Sequence, residues 1–226
     1  AFVYGGKTAN NTKIPVTVVY SDDKGENWTT CELDKIYTAD YYYVKFFDSD
    51  NGVIVCGYAK SNDTNESSRI YSTSNGGESW DIVGSGPATN IIKGVVYVSS
   101  DVGFFCYDYV EGMDSNLYKT DDGGKTFAKV MLEEQELDSS AANPQGQETE
   151  TKTDSGKNGA DSSEQLRWGD VYKEALTPVV DSTGIITIYL TQGKNAVYND
   201  GKTAAKYQSS DKGSTWKYIG QVEIKD

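Results

Sequence analysis

Short, mainly apolar runs recur along the whole chain, and each is bounded by glycine, asparagine, aspartate or serine. The clearest are Tyr43 to Asp48, Val53 to Tyr58, Ile91 to Ser99, Val102 to Tyr109 and Ile185 to Thr191. Runs of this length that are rich in β-branched and aromatic residues favour strands, and the glycine-rich breaks favour tight turns. The 17 tyrosines and 23 glycines fit the same interpretation. The sequence therefore predicts an all-β protein with little helix.

One eight-residue pattern occurs four times between such runs, as SDDKGENW, TSNGGESW, TDDGGKTF and SSDKGSTW. In each copy a hydroxyl residue is followed two positions later by Asp or Asn, then by Gly, then by an aromatic residue. The pattern residues are Ser21, Asp23, Gly25 and Trp28; Thr73, Asn75, Gly77 and Trp80; Thr120, Asp122, Gly124 and Phe127; and Ser209, Asp211, Gly213 and Trp216. Hydroxyl and carboxylate side chains bond nearby backbone N–H groups in turns, and glycine permits positive φ. The pattern therefore predicts a clamp within a hairpin.

The pattern resembles the Asp box, or BNR repeat, S/T-x-D-x-G-x-x-W, of sialidases, sortilin-type receptors, some glucan hydrolases and photosystem-assembly propellers. The resemblance implies a β-propeller in which the boxes are structural. Asn75 stands where the other copies have Asp. Because an amide can organise a turn but cannot act as a base, we interpret the box acids as structural and not catalytic.

The segments before boxes two, three and four repeat one order: strand, turn, strand, loop, strand, box. This order predicts about four blades of four antiparallel strands, in a propeller or part of one. The innermost strand of the fourth blade is expected at Thr177 to Val180. The sequence offers no innermost strand for the first blade. Either upstream sequence or the C-terminal Gln221 to Asp226 supplies that strand, or the position stays empty. We interpret residues 1–226 as one propeller-like domain.

Residues 138–165 interrupt this domain before the fourth blade. They contain no Val, Ile, Leu, Met, Phe, Tyr or Trp, and they are rich in small polar and acidic residues. Such a segment cannot bury enough apolar surface to offset its loss of entropy. The sequence predicts a disordered acidic insertion.

The formal net charge of −13 and the absence of histidine exclude several functions. Nucleic acids and anionic membranes are unsuitable partners, and no apolar run is long enough to insert into a membrane. Histidine-dependent nucleophile and zinc chemistry is excluded as well. The acidic turns Asp48 to Gly52 and Asp121 to Gly123 do not have the spacing of a calcium loop. We expect neither a metal nor a cofactor.

Sialidases share the Asp box that this pattern resembles. They bind the substrate carboxylate with three arginines, because the planar guanidinium forms bidentate pairs. This chain has only Arg69 and Arg167, so it is not expected to be a sialidase. Carboxylate-pair glycosidase chemistry needs no histidine, and its candidates are Asp40, Asp108, Glu111, Asp114 and Asp170.

The cysteines Cys31, Cys56 and Cys106 form no CxxC motif, and we interpret Cys56 and Cys106 as equivalent core positions of two repeats. The chain starts at Ala1, which leads us to expect that a signal peptide, anchor or upstream domain was removed. Together with the acidic, Asn-, Tyr- and Gly-rich composition, this favours a secreted or cell-surface protein.

The resemblance implies that ligands bind on the face opposite the Asp boxes, on the connections between blades and between second and third strands. Candidate binding residues are Tyr41, Tyr42, Tyr107, Tyr109 and Trp168, which could stack on sugars or anchor a protein. Alternatively, the successive tyrosines alternate between the two faces of a strand. We expect a non-enzymatic carbohydrate- or protein-binding module; the alternative is a fragment of a carboxylate-dependent glycoside hydrolase.

Overall fold

The structure is a computed structural model that describes residues 2–7, 13–33, 39–58, 68–137, 167–193 and 198–224. Four antiparallel sheets follow one another along the chain, and we call them blades 1 to 4. Blade 1 contains β1 (Phe2–Lys7), β2 (Lys13–Tyr20) and β3 (Thr29–Glu32). Blade 2 contains β4 (Tyr41–Phe46), β5 (Gly52–Gly57), β6 (Ser68–Thr73) and β7 (Asp81–Ser85).

Blade 3 contains β8 (Ile92–Tyr97), β9 (Gly103–Tyr107), β10 (Leu117–Thr120) and β11 (Ala128–Lys129). Blade 4 contains β12 (Glu174–Ala175), β13 (Val179–Val180), β14 (Ile186–Thr191), β15 (Thr203–Ser209) and β16 (Lys217–Glu223). The one-turn helix α1 (Trp168–Val171) precedes blade 4, and a 3-10 turn (Tyr198–Gly201) precedes β15.

These sheets confirm the predicted all-β, propeller-type fold of about four blades. Each Asp box joins the last two strands of its blade. Blade 1 has three described strands, and β1 occupies the position of the second strand in the other blades. Gln221 to Glu223 pair with β15 as part of β16, so these residues do not supply an inner strand to blade 1. That residues 1–226 form one domain stays a prediction, and the predicted insertion 138–165 lies outside the described residues.

The innermost strand of blade 4 departs from the prediction of one continuous strand over Thr177 to Val180. Two short strands, β12 and β13, pair with β14 at separate places. Pro178 lies between them and has no N–H to donate to a sheet. The proline therefore interrupts a strand that is continuous in blades 2 and 3.

Adjacent blades pack face to face through buried apolar side chains. The junction of blades 1 and 2 contains Val16, Val18, Leu33, Ile54, Cys56 and Tyr71. The next contains Val53, Val55, Ile70, Ile92, Val95, Tyr97, Phe105 and Tyr107. Between blades 3 and 4 lie Val102, Phe104, Cys106, Leu117, Val130, Ala175, Ile186 and Ile188. Because successive strand residues face opposite sides, each middle blade contributes to two junctions.

Cys56 and Cys106 are both buried, but they do not occupy equivalent positions. Gly52 and Gly103 begin their strands at matching places, since each pairs with the last residue of the inner strand. Cys56 is four residues beyond its glycine and Cys106 three. This difference of one residue turns the two thiols to opposite faces of their blades.

The glycine of each later box packs against the preceding blade. A Cβ added to Gly77 would lie 3.5 Å from Tyr20, one on Gly124 would lie 2.9 Å from Ile70, and one on Gly213 would lie 2.4 Å from Phe104. At Gly25 of box 1 the same Cβ would meet only its own Trp28. The side chain of Trp28 is 54% exposed. Within the described residues, the glycine of box 1 therefore has no side chain of another blade packed against it, unlike the glycines of the other three boxes.

The outward face of blade 4 combines polar residues with the apolar side chains of Val179 and Ile219, which are 58% and 46% exposed. Thr187 and Tyr189 alternate with the buried Ile186 and Ile188 along β14, so they face away from blade 3. Thr187 accepts a hydrogen bond from Gln208 at 3.1 Å.

Candidate functional site

The four Asp boxes form one hydrogen-bonded turn in four copies. In box 3 the Thr120 hydroxyl donates to Asp122 at 2.9 Å and accepts from the Gly124 N–H at 2.8 Å. Boxes 1, 2 and 4 repeat these two bonds with Ser21, Thr73 and Ser209. The acid or amide of the box therefore holds its own turn.

The residue before the aromatic also belongs to the box. The N–H of Thr126 donates to Asp122 at 2.8 Å, and its hydroxyl donates to the same carboxylate at 2.6 Å. Asn27, Ser79 and Thr215 occupy this position in the other boxes, and each N–H donates to its own box acid or amide. The sequence carried this signal, because a polar hydrogen-bonding residue stands there in all four copies.

These bonds favour the ionised carboxylates. Hydrogen bonds from Asn27 lower the pKa of Asp23 to about 2, and those from Thr126 lower the pKa of Asp122 to about 2. The Thr215 hydroxyl and N–H lower the pKa of Asp211 as well. A general acid needs a raised pKa, so these carboxylates have the character of turn acceptors.

The three consecutive tyrosines lie on β4 and point to alternate faces. The hydroxyls of Tyr41 and Tyr43 accept hydrogen bonds from the N–H groups of Val95 and Tyr97, each at 3.0 Å. Those N–H groups belong to the inner edge of β8. Tyr42 packs at the junction of blades 1 and 2 instead. The alternation therefore gives two of these tyrosines a place between blades 2 and 3.

The other candidate aromatics are also dispersed. Tyr107 is fully buried between blades 2 and 3, and its hydroxyl lies 3.3 Å from that of Ser68. Trp168 and Tyr109 instead line one cavity next to blade 4. The structure does not assemble the five residues into one aromatic surface.

This cavity lies between blades 3 and 4, at the end opposite the Asp boxes, and we call it the loop-side pocket. Its volume is about 310 Å³. The β9–β10 loop, the segment after β11 and helix α1 form its walls, and its lining includes Tyr109, Met113, Asp114, Asn116, Val130, Met131, Leu132, Glu134, Trp168, Gly169, Tyr172, Lys173 and Leu190. It is on the face where the resemblance places ligands.

Both methionines of the chain line the loop-side pocket. Met131 is 63% exposed, and Val110 on the neighbouring loop is 54% exposed. By contrast, Trp168 and Tyr172 are 4% and 3% exposed, and they pack on each other with ring centroids 4.6 Å apart. At this site the flexible aliphatic side chains are therefore more exposed to solvent than the faces of these two aromatic rings.

Three ion pairs hold the β9–β10 loop over the pocket. Asp108 pairs with Lys93 of β8 at 2.7 Å, Asp114 with Lys129 of β11 at 2.5 Å. Glu111 pairs with Lys173, which follows α1, at 2.8 Å. Solvent screens each pair and leaves it little stabilising effect of its own, but together they tie the loop to three separate elements.

The candidate catalytic acids do not have the properties of a glycosidase pair. Lys129 lowers the pKa of Asp114, and Arg167 lowers that of Asp170. Asp108 and Glu111 are held by lysines, as described above, and Asp40 precedes β4 on another blade. Within the described residues, every carboxyl group with a displaced pKa is displaced downward, which is opposite to the requirement for a general acid.

A larger cavity, of about 950 Å³, lies at the Asp-box end between blades 1 and 2. Its lining includes the carboxylates of Asp22, Asp48, Asp50 and Glu78. Asp48 accepts bonds from the N–H groups of Asp50 and Asn51, as expected of a turn. In the described ranges, no group of three or more His, Cys, Asp or Glu side chains is arranged to hold a metal ion, and no helix is long and apolar enough to span a membrane.

No protein-family model matches the chain, and no curated protein matches its sequence. Among solved structures, the GH74 enzyme of Niastella koreensis matches 91% of this chain at 16% identity with a TM-score of 0.46. The chain spans only 26% of that protein. YCF48 bound to D1 peptide matches 96% of this chain, and 77% of its own length, at 13% identity with a TM-score of 0.35. These similarities assign neither an activity nor a partner to this chain.

Proposed function

We propose that the protein is a non-enzymatic module that binds a protein partner by taking an apolar side chain into the loop-side pocket. The observation that carries this proposal is the exposure of Met131 beside a cavity that both methionines line. Methionine is flexible and polarisable, and it is common on surfaces that adapt to peptide side chains. The rigid blades support the loops that carry these side chains.

A protein ligand fits this pocket better than a carbohydrate. Sugars stack on the open face of an aromatic ring, but Trp168 and Tyr172 are nearly fully buried. Tyr109 is the one aromatic residue of the lining that is partly exposed. One part of the wall is aliphatic, with Val130, Met131 and Leu132 in succession, and the rest carries polar and charged side chains such as Asp114, Asn116, Glu134 and Lys173. The aliphatic part contacts an apolar side chain well, and the polar groups beside it can bond the backbone and neighbouring side chains of a peptide.

The hydrolase alternative is disfavoured by the state of the acids. Asp114 and Glu134 both line the pocket, but Lys129 keeps Asp114 ionised. A retaining or inverting enzyme needs one carboxylic acid that is protonated near neutral pH. We propose further that the module acts outside the cell or at its surface; composition supports this location.

The test is selection of binders from a random-peptide library on the immobilised protein. Met131→Ser removes an exposed apolar contact without opening a core cavity, so this variant is expected to fold and to lose the selected peptides. Ile219→Ser is the matched control, because Ile219 is 46% exposed on blade 4 and faces away from the pocket. Circular dichroism and thermal unfolding check that both variants are folded.

The selected peptides are then titrated into protein labelled with ¹³C at the methionine methyl groups. The spectrum contains one signal from each of the 2 methionines, and both report on the pocket. We expect both signals to shift in the parent protein and the Met113 signal to stay unshifted in Met131→Ser. Peptides that bind equally well to Met131→Ser, or that leave both signals unshifted, would contradict the proposal.

A further inference from the structure

We infer that the peptide taken by the loop-side pocket carries lysine or arginine next to its apolar residue. This inference rests on the proposed function and specifies the chemistry of the partner. It follows from the ion pairs around the pocket and from the carboxylate of Glu134, which takes part in none of those ion pairs.

Four cations around the pocket, in the part of the chain that the structure describes, are already engaged. Lys93, Lys129 and Lys173 each pair with an acid of the β9–β10 loop, and Arg167 pairs with Asp170 at 3.1 Å. An anionic ligand would have to displace one of these carboxylates. A cationic ligand needs no such exchange.

The segment after β11 supplies carboxylates that no cation of this face neutralises. Glu133, Glu134 and Glu136 are all exposed. Within residues 108–137 and 167–175, no salt bridge involves them. The hydroxyl of Tyr207 donates to the Glu133 carbonyl at 2.7 Å and so fixes this segment against β15. The negative charge is therefore held in a defined place beside the pocket.

Of these three glutamates, Glu134 is the one that lines the pocket. Its Oε1 lies over Gly169 of α1, where an added Cβ would come within 2.5 Å of it. The glycine thus leaves space for the carboxylate at the wall shared with Met131 and Leu132. A ligand with an apolar side chain in the pocket would bring its neighbouring residues to this carboxylate, and a lysine or arginine there would form a charge-assisted hydrogen bond.

Three fluorescein-labelled peptides separate the two contributions: Gly-Lys-Lys-Leu-Lys-Lys-Gly, the same peptide with Gly for Leu, and Gly-Ser-Ser-Leu-Ser-Ser-Gly. We expect the first to bind most tightly by fluorescence anisotropy and to shift both methionine methyl signals. Raising the salt from about 50 mM to about 300 mM should weaken the first peptide and leave the serine peptide unaffected.

Glu134→Gln should weaken the first peptide by about two- to fivefold, as expected for one partly exposed ion pair, and should not affect the serine peptide. Gly169→Ala, which displaces the same carboxylate without removing it, should act in the same direction. Glu26→Gln is the control, because Glu26 is an equally exposed acid in box 1 at the opposite end.

Equal binding of the lysine and serine peptides, or of the leucine and glycine versions, would overturn the inference. It would also be overturned if Glu134→Gln weakened all peptides alike. If library selection yields uncharged peptides that shift the methionine signals, the inference fails while the proposed function stands. If no peptide from either experiment shifts those signals, both fail.

Discussion

The side chain of Asn116 forms two hydrogen bonds with the backbone of Ala175, one to its N–H and one to its carbonyl, as a neighbouring strand would. The Ala175 N–H donates to Asn116 Oδ1 at 2.9 Å, and Asn116 Nδ2 donates to the Ala175 carbonyl at 2.9 Å. Nδ2 also donates to the Tyr107 carbonyl at 2.8 Å. Asn116 precedes β10 and Ala175 belongs to β12, so one buried amide joins blade 3 to the interrupted inner strand of blade 4 beside the pocket.

Removal of this amide should loosen blade 4. Asn116→Ala leaves the buried Ala175 N–H without its acceptor and the Tyr107 carbonyl without this donor. Each loss costs about 1–3 kcal/mol, and we expect a loss of about 3 kcal/mol in the free energy of unfolding. Hydrogen exchange at Ala175 should accelerate. Asn90→Ala, which removes a half-buried bond to the Asp108 carbonyl within blade 3, should cost about 1 kcal/mol. Equal losses in urea unfolding would show that Asn116 does not have this bridging role.

The box glycines should differ in their tolerance of alanine. Gly213 has φ +77°, and an added Cβ would lie 2.4 Å from the Phe104 ring. Gly213→Ala should therefore destabilise the protein by about 2–4 kcal/mol, from backbone strain and overpacking together. Gly25 has φ +92°, but an added Cβ would lie at an ordinary contact distance of 3.6 Å from Trp28, so Gly25→Ala should cost only the strain, about 1 kcal/mol. Chemical unfolding of the two variants measures the difference, and equal values would refute the asymmetry between box 1 and box 4.

The tyrosines of β4 should stabilise the inner edge of β8 through their hydroxyls. Tyr41→Phe and Tyr43→Phe remove the acceptors of the Val95 and Tyr97 N–H groups, and each should cost about 1–2 kcal/mol. Hydrogen exchange should accelerate at the amide whose acceptor was removed. Tyr42→Phe is the control, because its hydroxyl accepts from Ala39; it should leave exchange in β8 unchanged.

The box aspartates should titrate at unusually low pH. Asp122 ionises with a pKa of about 2 in the folded protein, below the value near 4 of an unfolded chain. A depressed carboxyl pKa stabilises the fold above the unfolded pKa, and this contribution disappears as the pH falls through the folded pKa. We therefore expect a carboxyl carbon midpoint near 2 for Asp122 by NMR. A midpoint near 4 would mean that the Thr126 bonds do not form in solution.

Sequence reasoning captured the repeated part of the fold because the repeat is local. Four boxes and the strands between them specify hairpins through short-range hydrogen bonds and alternation. The break at Pro178 was also readable, since proline disrupts a paired strand, but the surrounding apolar residues suggested continuity. The opposite orientation of Cys56 and Cys106 was missed because a one-residue difference in register is invisible without a fixed starting point such as Gly52 and Gly103.

The candidate site was harder to foresee, because it is assembled from segments far apart in the chain. Tyr109, Met131 and Trp168 come from a loop, the segment after a short strand, and a one-turn helix. Compositional reasoning selected aromatics and therefore grouped Trp168 with Tyr41 and Tyr107, which lie between blades 2 and 3. The two methionines carried no sequence pattern, and only their convergence on one cavity reveals them.

The most direct test of a protein-binding loop face is the ¹³C-methyl spectrum of Met113 and Met131 during titration with library-selected peptides. Binding in the pocket should shift both methyl signals in the parent protein and in the Ile219→Ser control, with saturation at the affinity measured by anisotropy. Peptides that bind at the same affinity while both methyl signals stay in place would show that the ligand site lies elsewhere on the molecule.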